Sequence, residues 1–161
     1  MRKAGITIAV IALLAWSLVG TARADTTAEI TTLEHKLANA TSADEALSLM
    51  TSSGDLTVFD LSTPLEFKGQ KAVRADFEQA FENFKNAKVD FVSLQVIPAG
   101  KVAATYSIQH MTATDKAGKP LDFTFRVTDV WRKEKDGWKL VHAHVSFPVD
   151  MATGKADMQS K

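Results

Sequence analysis

The chain has 161 residues, 45% of them hydrophobic and 24% charged, with 19 basic residues against 19 acidic and no cysteine. That balance excludes disorder, collagen and a strongly basic nucleic-acid-seeking domain, and the length fits one globular domain. Without cysteine there is no disulfide framework, thiolate nucleophile, cysteine-ligated zinc or iron–sulfur centre, or lipid-modified cysteine.

The chain opens on Met1-Arg2-Lys3, followed by an uncharged, mostly apolar run from Ala4 to Gly20 and then Ala22-Arg23-Ala24. A basic start, an apolar run and an A-x-A site describe a secretory signal, so residues 1–24 are expected to be removed and the protein to be periplasmic or secreted. A membrane anchor is the competing reading. A run of about 17 residues is at the short limit for a span, and no stable anchor is expected after cleavage. Losing Arg2, Lys3 and Arg23 leaves 16 basic residues against 19 acidic, a formal charge of −3 on the mature chain. That mild acidity argues against a nucleic-acid partner.

From Thr26, Ile30, Leu33, Leu37 and Ala38 recur at helical spacing. Thr41-Ser42-Ala43-Asp44-Glu45 supplies capping chemistry for a second short helix through Ala46, Leu47 and Met50. Leu56 to Leu61 reads as a strand ended by Pro64, and after Gly69 a longer helix carries Val73, Phe77, Ala80 and Phe84 on one face. Arg74, Asp76, Glu78 and Glu82 are assigned to its other faces. Four β-rich segments follow: Val89 to Ile97, Lys101 to Thr112, Leu121 to Arg132 and Trp138 to Phe147, separated by glycine-containing turns. Helices followed by an antiparallel meander make an α+β domain, expected over 25–150, in which a curved sheet wraps partly around the helices. Residues 151–161 are small and polar and are expected to be a flexible tail.

Unbroken alternation along the last strand would put Trp138, Leu140, His142, His144 and Ser146 on one face. Lys139, Val141, Ala143, Val145 and Phe147 would fill the other, which needs a cover such as a second subunit. Histidines at i and i+2 can bind a metal, but no third ligand is fixed by spacing; no metal and no cofactor are expected. Hydrogen-bonded pocket histidines are preferred, with His144 retained as a possible proton carrier. The hairpin register decides whether Arg126 and Thr128 or Asp129 join them; a bulged three-residue turn at Gly137 would choose Arg126 and Thr128. An arginine there would suit an anionic ligand group. Asp60 follows Leu56 and Val58 at period two, which places a carboxylate on the buried face as a candidate general base. Tyr106 and Trp138 are the aromatic candidates for ligand contact, with core packing as the competing role.

Pro64 to Arg74, Arg126 to Trp131 and Asp136 to Pro148 together resemble the SnoaL-like, ketosteroid-isomerase-like branch of the nuclear transport factor 2-like superfamily. The closing tryptophan, two spaced histidines, serine and proline also look like the association domain of calcium/calmodulin-dependent kinase II. The resemblance implies a cone: a strongly bent antiparallel sheet whose wide end is closed by the helices around a pocket, with sheet-to-sheet homodimers. It leaves three functions open, since one fold hosts many chemistries. The first is an exported binder of a small, partly apolar molecule, with or without an anionic group, through Arg126, Thr128, His142, His144 and Ser146. The others are an isomerase, dehydratase or cyclase using Asp60 or His144 for proton transfer, and a homo-oligomeric assembly module.

Overall fold

The computed structural model describes residues 7–159, with side chains from Arg23 onward. Helix α1 runs Thr7–Ala38, carrying the predicted Ile30, Leu33 and Leu37 face and extending back past Ala24. The basic start of the predicted signal lies outside the described residues. Among those that are described, no helix is long and apolar enough to cross a membrane. Helix α2 (Ala43–Ser48) starts where its capping residues predict. Ser42 Oγ accepts the Glu45 N–H at 3.2 Å, and Glu45 Oε2 reaches back to the Thr41 N–H at 2.8 Å, so two orphan donors are satisfied reciprocally.

Strands β1 (Thr57–Phe59) and β2 (Phe67–Lys68) precede α3 (Gly69–Asn83). Gly69 sits at φ +72°, a left-handed conformation that turns the chain from β2 directly into the helix. Four long strands follow: β3 (Lys85–Ala99), β4 (Val102–Thr114), β5 (Pro120–Glu134) and β6 (Gly137–Ser146). The sheet order is β2-β1-β6-β5-β4-β3, with β1 parallel to β6 and every other neighbour antiparallel. The architecture is α+β, a curved six-stranded sheet with the helices on its inner side. One core cluster joins Ile30, Leu47, Leu56, Val73, Trp131 and Leu140. A second, built on Met111, Phe123, Phe125 and Val127, lies along the far half of β4 and β5.

The C-terminal residues differ from the predicted flexible tail. β7 (Val149–Asp150) and β8 (Lys155–Ala156) pair as a small hairpin. Asp150 Oδ1 accepts the Ala152 N–H at 2.8 Å, and Gly154 at φ +68° lets the turn close. The segment is tied to the sheet by the Thr124 N–H, which donates to the Met158 carbonyl at 3.1 Å.

The β5–β6 hairpin carries the largest departure from the sequence reading. Its turn is tight, with Glu134 opposite Gly137, and the extra residue lies inside the strand: Trp131 faces Leu140 and Val130 faces His142, leaving Val141 unpaired. A bulge of this kind shifts the alternation by one, so side chains beyond it change sides. Trp138 and Leu140 point inward before the bulge, and Ala143, Val145 and Phe147 point inward after it; His142, His144 and Ser146 are turned outward. Leu140→Ala is therefore expected to cost about 2–5 kcal/mol as a core truncation, and His144→Ala less than about 1 kcal/mol, in denaturant unfolding. Comparable losses at both positions would contradict the bulge.

Candidate functional site

Between the two core clusters and under α1 and α3 lies a cavity of about 460 Å³, within the size range of small-molecule pockets. Its wall is mainly apolar, with Phe77, Met111, Phe125, Val127 and Val145 prominent, and Met158 of the C-terminal segment reaches it as well. The titratable side chains that line it are all acidic: Glu34, Asp60, Asp76 and Asp129.

Glu34 and Asp129 form the floor. Sheet register places Thr105 opposite Asp129, with Trp131 two residues further along β5 on the same face, directly beneath Glu34 of α1. Glu34 Oε1 accepts the Thr105 hydroxyl at 2.6 Å and the Trp131 indole N–H at 2.7 Å. These charge-assisted bonds explain how a carboxylate only 1% exposed is tolerated there. The Asp129 carboxyl lies against Glu34. Burial, the Glu34 charge and a hydrogen bond to it push the Asp129 acid well above the usual carboxylate range.

Asp60 and Asp76 form a second acid pair. Asp60 follows β1, and Asp76 comes from the inward face of α3, three residues after Val73 and four before Ala80. Burial first, and then the neighbouring Asp60 charge, raise the Asp76 acid to about 6, against a partial opposing effect from the Ser62 hydroxyl, which donates to it at 3.1 Å.

Of the predicted site residues, Asp60 lines the cavity. Arg126, Thr128, His142, His144 and Ser146 do come together on one face, because Arg126 pairs with Ser146 and Thr128 with His144. That face is the outer one. Arg126 is exposed and donates to the Phe147 carbonyl at 3.1 Å; His142 Nδ1 meets the Thr57 carbonyl at 2.8 Å, and both histidine rings stack edge-on with Phe59. Tyr106, opposite Thr128, is 53% exposed on the same face. Trp138 is buried at the closed end, where its indole N–H donates to Glu29 Oε2 at 3.0 Å. Val145 and Phe147, assigned by alternation to a subunit interface, line the cavity instead. With Arg126 outside and acids within, the cavity does not offer the cation that an anionic ligand group would need. No three His, Asp or Glu side chains converge as a metal group among the described residues.

Glu34 and Asp76 escaped the sequence reading, although each carries a signal. Glu34 lies four residues after Ile30 and next to Leu33, and Asp76 lies between Val73 and Phe77, so both are acids on otherwise apolar helix faces. Asp129 was legible only as the alternative outcome of the hairpin register.

A family model described as a SnoaL-like domain matches residues 28–150. Among solved structures, a protein of unknown function from Pseudomonas putida KT2440, described as NTF2-like, is similar at 24% identity and a TM-score of 0.74, covering 86% of this chain and 97% of that one. An NTF2-like superfamily protein from Salmonella enterica follows at 19% identity and 0.69, covering 86% and 99%. A CaMKII hub from S. rosetta is similar at 25% identity and 0.62, covering 74% and 95%. No curated protein matches the chain.

The raised Asp76 acid has a definite sign in stability. Between its ordinary value of 3.8 and about 6, the folded protein binds a proton that the unfolded chain has released, so this group's contribution falls as pH rises through that window. Asp76→Asn keeps an acceptor for Ser62 and abolishes the ionisation. Its gain in unfolding midpoint over the parent protein should be near zero at pH 4 and reach a plateau above pH 6. A gain that does not vary with pH would contradict the assignment.

Proposed function

The chain belongs to the SnoaL-like domain family, and from that premise we propose that its cavity binds a small, predominantly apolar molecule carrying no negative charge. One observation carries the reading: a 460 Å³ apolar cavity whose titratable lining residues are four acids. An anionic group entering it would be repelled by the ionised members of both acid pairs, in a setting where low dielectric strengthens the repulsion.

A second reading, proton-transfer catalysis of the isomerase, dehydratase or cyclase type, is favoured by the Asp60–Asp76 pair. Two carboxyls sharing a site, one with its acid raised to about 6, supply a base and a proton reservoir near neutrality. Asp60 would take the proton. His144 has no part in this reading, because it is exposed on the outer face. If a ketone substrate is turned over, Asp60→Asn should lower exchange of its α-hydrogens with deuterated water by about 10²–10⁴-fold, followed by NMR. An unchanged rate would remove Asp60 from the chemistry.

Homodimerisation belongs to the same proposal, through the outer face instead of the Val145 face. Phe59, Ile97 and Tyr106 are 37%, 51% and 53% exposed there, large apolar side chains on either side of His144 and Thr128 that a partner subunit would cover. Export rests on Met1 to Ala24 as read above. Native mass spectrometry of protein from its own host tests these points together. Expected are dimers of subunits beginning at Asp25, with an uncharged apolar ligand retained, and Tyr106→Glu should give monomers that still hold it. A retained carboxylate or phosphate ester would contradict the proposed ligand, and a monomeric parent protein would contradict the interface.

A further inference from the structure

Most of the cavity wall comes from α1, α3 and the long strands, so opening it there would break core packing. Met158 belongs to none of these elements. It lines the cavity and is still 38% exposed, which makes it a piece of wall with solvent behind it.

A mismatch in strand length puts it there. β6 ends at Ser146, opposite Arg126, while β5 reaches back to Pro120. Alternate residues of a paired strand turn their N–H and C=O to the same neighbour, so Asp122 and Thr124 present polar backbone groups where β6 is missing. The Thr124 N–H donates to the Met158 carbonyl at 3.1 Å, and the Gln159 side-chain amide donates to the Asp122 carbonyl at 2.9 Å. Among the described residues, these two hydrogen bonds tie residues 158–159 to an edge that β6 elsewhere covers with a ladder from Arg126 to Glu134.

The chain leading to Met158 does not depend on those two bonds. β7 and β8 are exposed and pair with each other, and the Asp157 N–H donates to the Pro148 carbonyl at 2.8 Å, which closes the hairpin at its base. Residues 158–159 can therefore leave β5 while the hairpin stays formed. A segment with few buried contacts and exposed hydrogen bonds lies at the low end of local opening free energies.

We propose that residues 158–159 form a lid on the cavity, with the Met158 side chain as its stopper, and that small apolar ligands enter and leave when it releases Thr124 and Asp122. Methionine suits the task, because an unbranched, flexible thioether repacks against bodies of different shape. The proposal rests on the cavity being a small-molecule site, so the test separates the two.

The probe is N-phenyl-1-naphthylamine, an uncharged apolar fluorophore, and its association and dissociation rate constants are measured by stopped flow. Gln159→Ala removes one tie and leaves the cavity wall unchanged. A lid gates both directions alike, so this variant should raise both rate constants together by about fivefold, the effect of losing one hydrogen bond, with little change in affinity. Met158→Ala, which removes the stopper, should also raise both. Unchanged rates in Gln159→Ala, or faster dissociation with unchanged association in Met158→Ala, would make Met158 a fixed wall contact; either result overturns the lid and leaves the cavity as a binding site. Failure of the probe to bind any of the three proteins would overturn both readings.

Discussion

Where Val130 pairs with His142 and Trp131 with Leu140, Val141 is squeezed out of the ladder, and the two halves of β6 present opposite parities to the helices. The apolar requirement of both core clusters depends on this offset. Trp138 and Leu140 complete the cluster around Ile30 and Trp131, while Val145 and Phe147 pack against the one around Phe123 and Phe125. Without the offset, one of these pairs would face outward and a histidine pair would face the phenylalanines. The bulge is thus what allows one strand to serve both ends of the cavity.

With the histidines and Arg126 turned outward, the interior chemistry is that of carboxylic acids. Two acids in contact, poorly hydrated and lacking a cation, cannot both ionise at ordinary cost, so one acid of each pair is raised, Asp76 to about 6 and Asp129 well above the usual carboxylate range. The floor pair is fixed by Thr105 and Trp131, which bind Glu34 from the sheet side, and the other pair bridges the end of β1 and α3. The arrangement suits uncharged molecules. It also places proton carriers at two points of an apolar cavity, which is the common starting material for both the binding and the proton-transfer readings.

Much of the fold was legible because its signals are local. Capping at Ser42 and Glu45, the glycine at 69, the turns at Gly100, Gly118 and Gly137, and β-branched runs between them mark the elements to within a few residues. Arg126, Thr128, His144 and Ser146 do share one face, but through the bulge at Val141 and not through the three-residue turn expected at Gly137. What could not be read was the side of the sheet on which that group lies. The side depends on one unpaired residue, and Val141 has no glycine or other local mark to distinguish it from a regular strand position. Glu34 and Asp76 were lost for a related reason: an acid on an apolar helix face reads as a solvated neighbour until a tertiary partner is known. The C-terminal hairpin was misjudged from its small, polar composition, although Asp150 and Gly154 provide a turn and a carbonyl at Met158 ties it to β5.

The central claim is that the inner face carries proton-sharing acids. Carbon-13 NMR titration of the Asp and Glu carboxyl carbons tests it most directly. Asp129 should titrate well above the ordinary carboxylate range and Asp76 with a midpoint of about 6. Ionisation of both in the ordinary carboxylate range, near pH 4, would contradict the account.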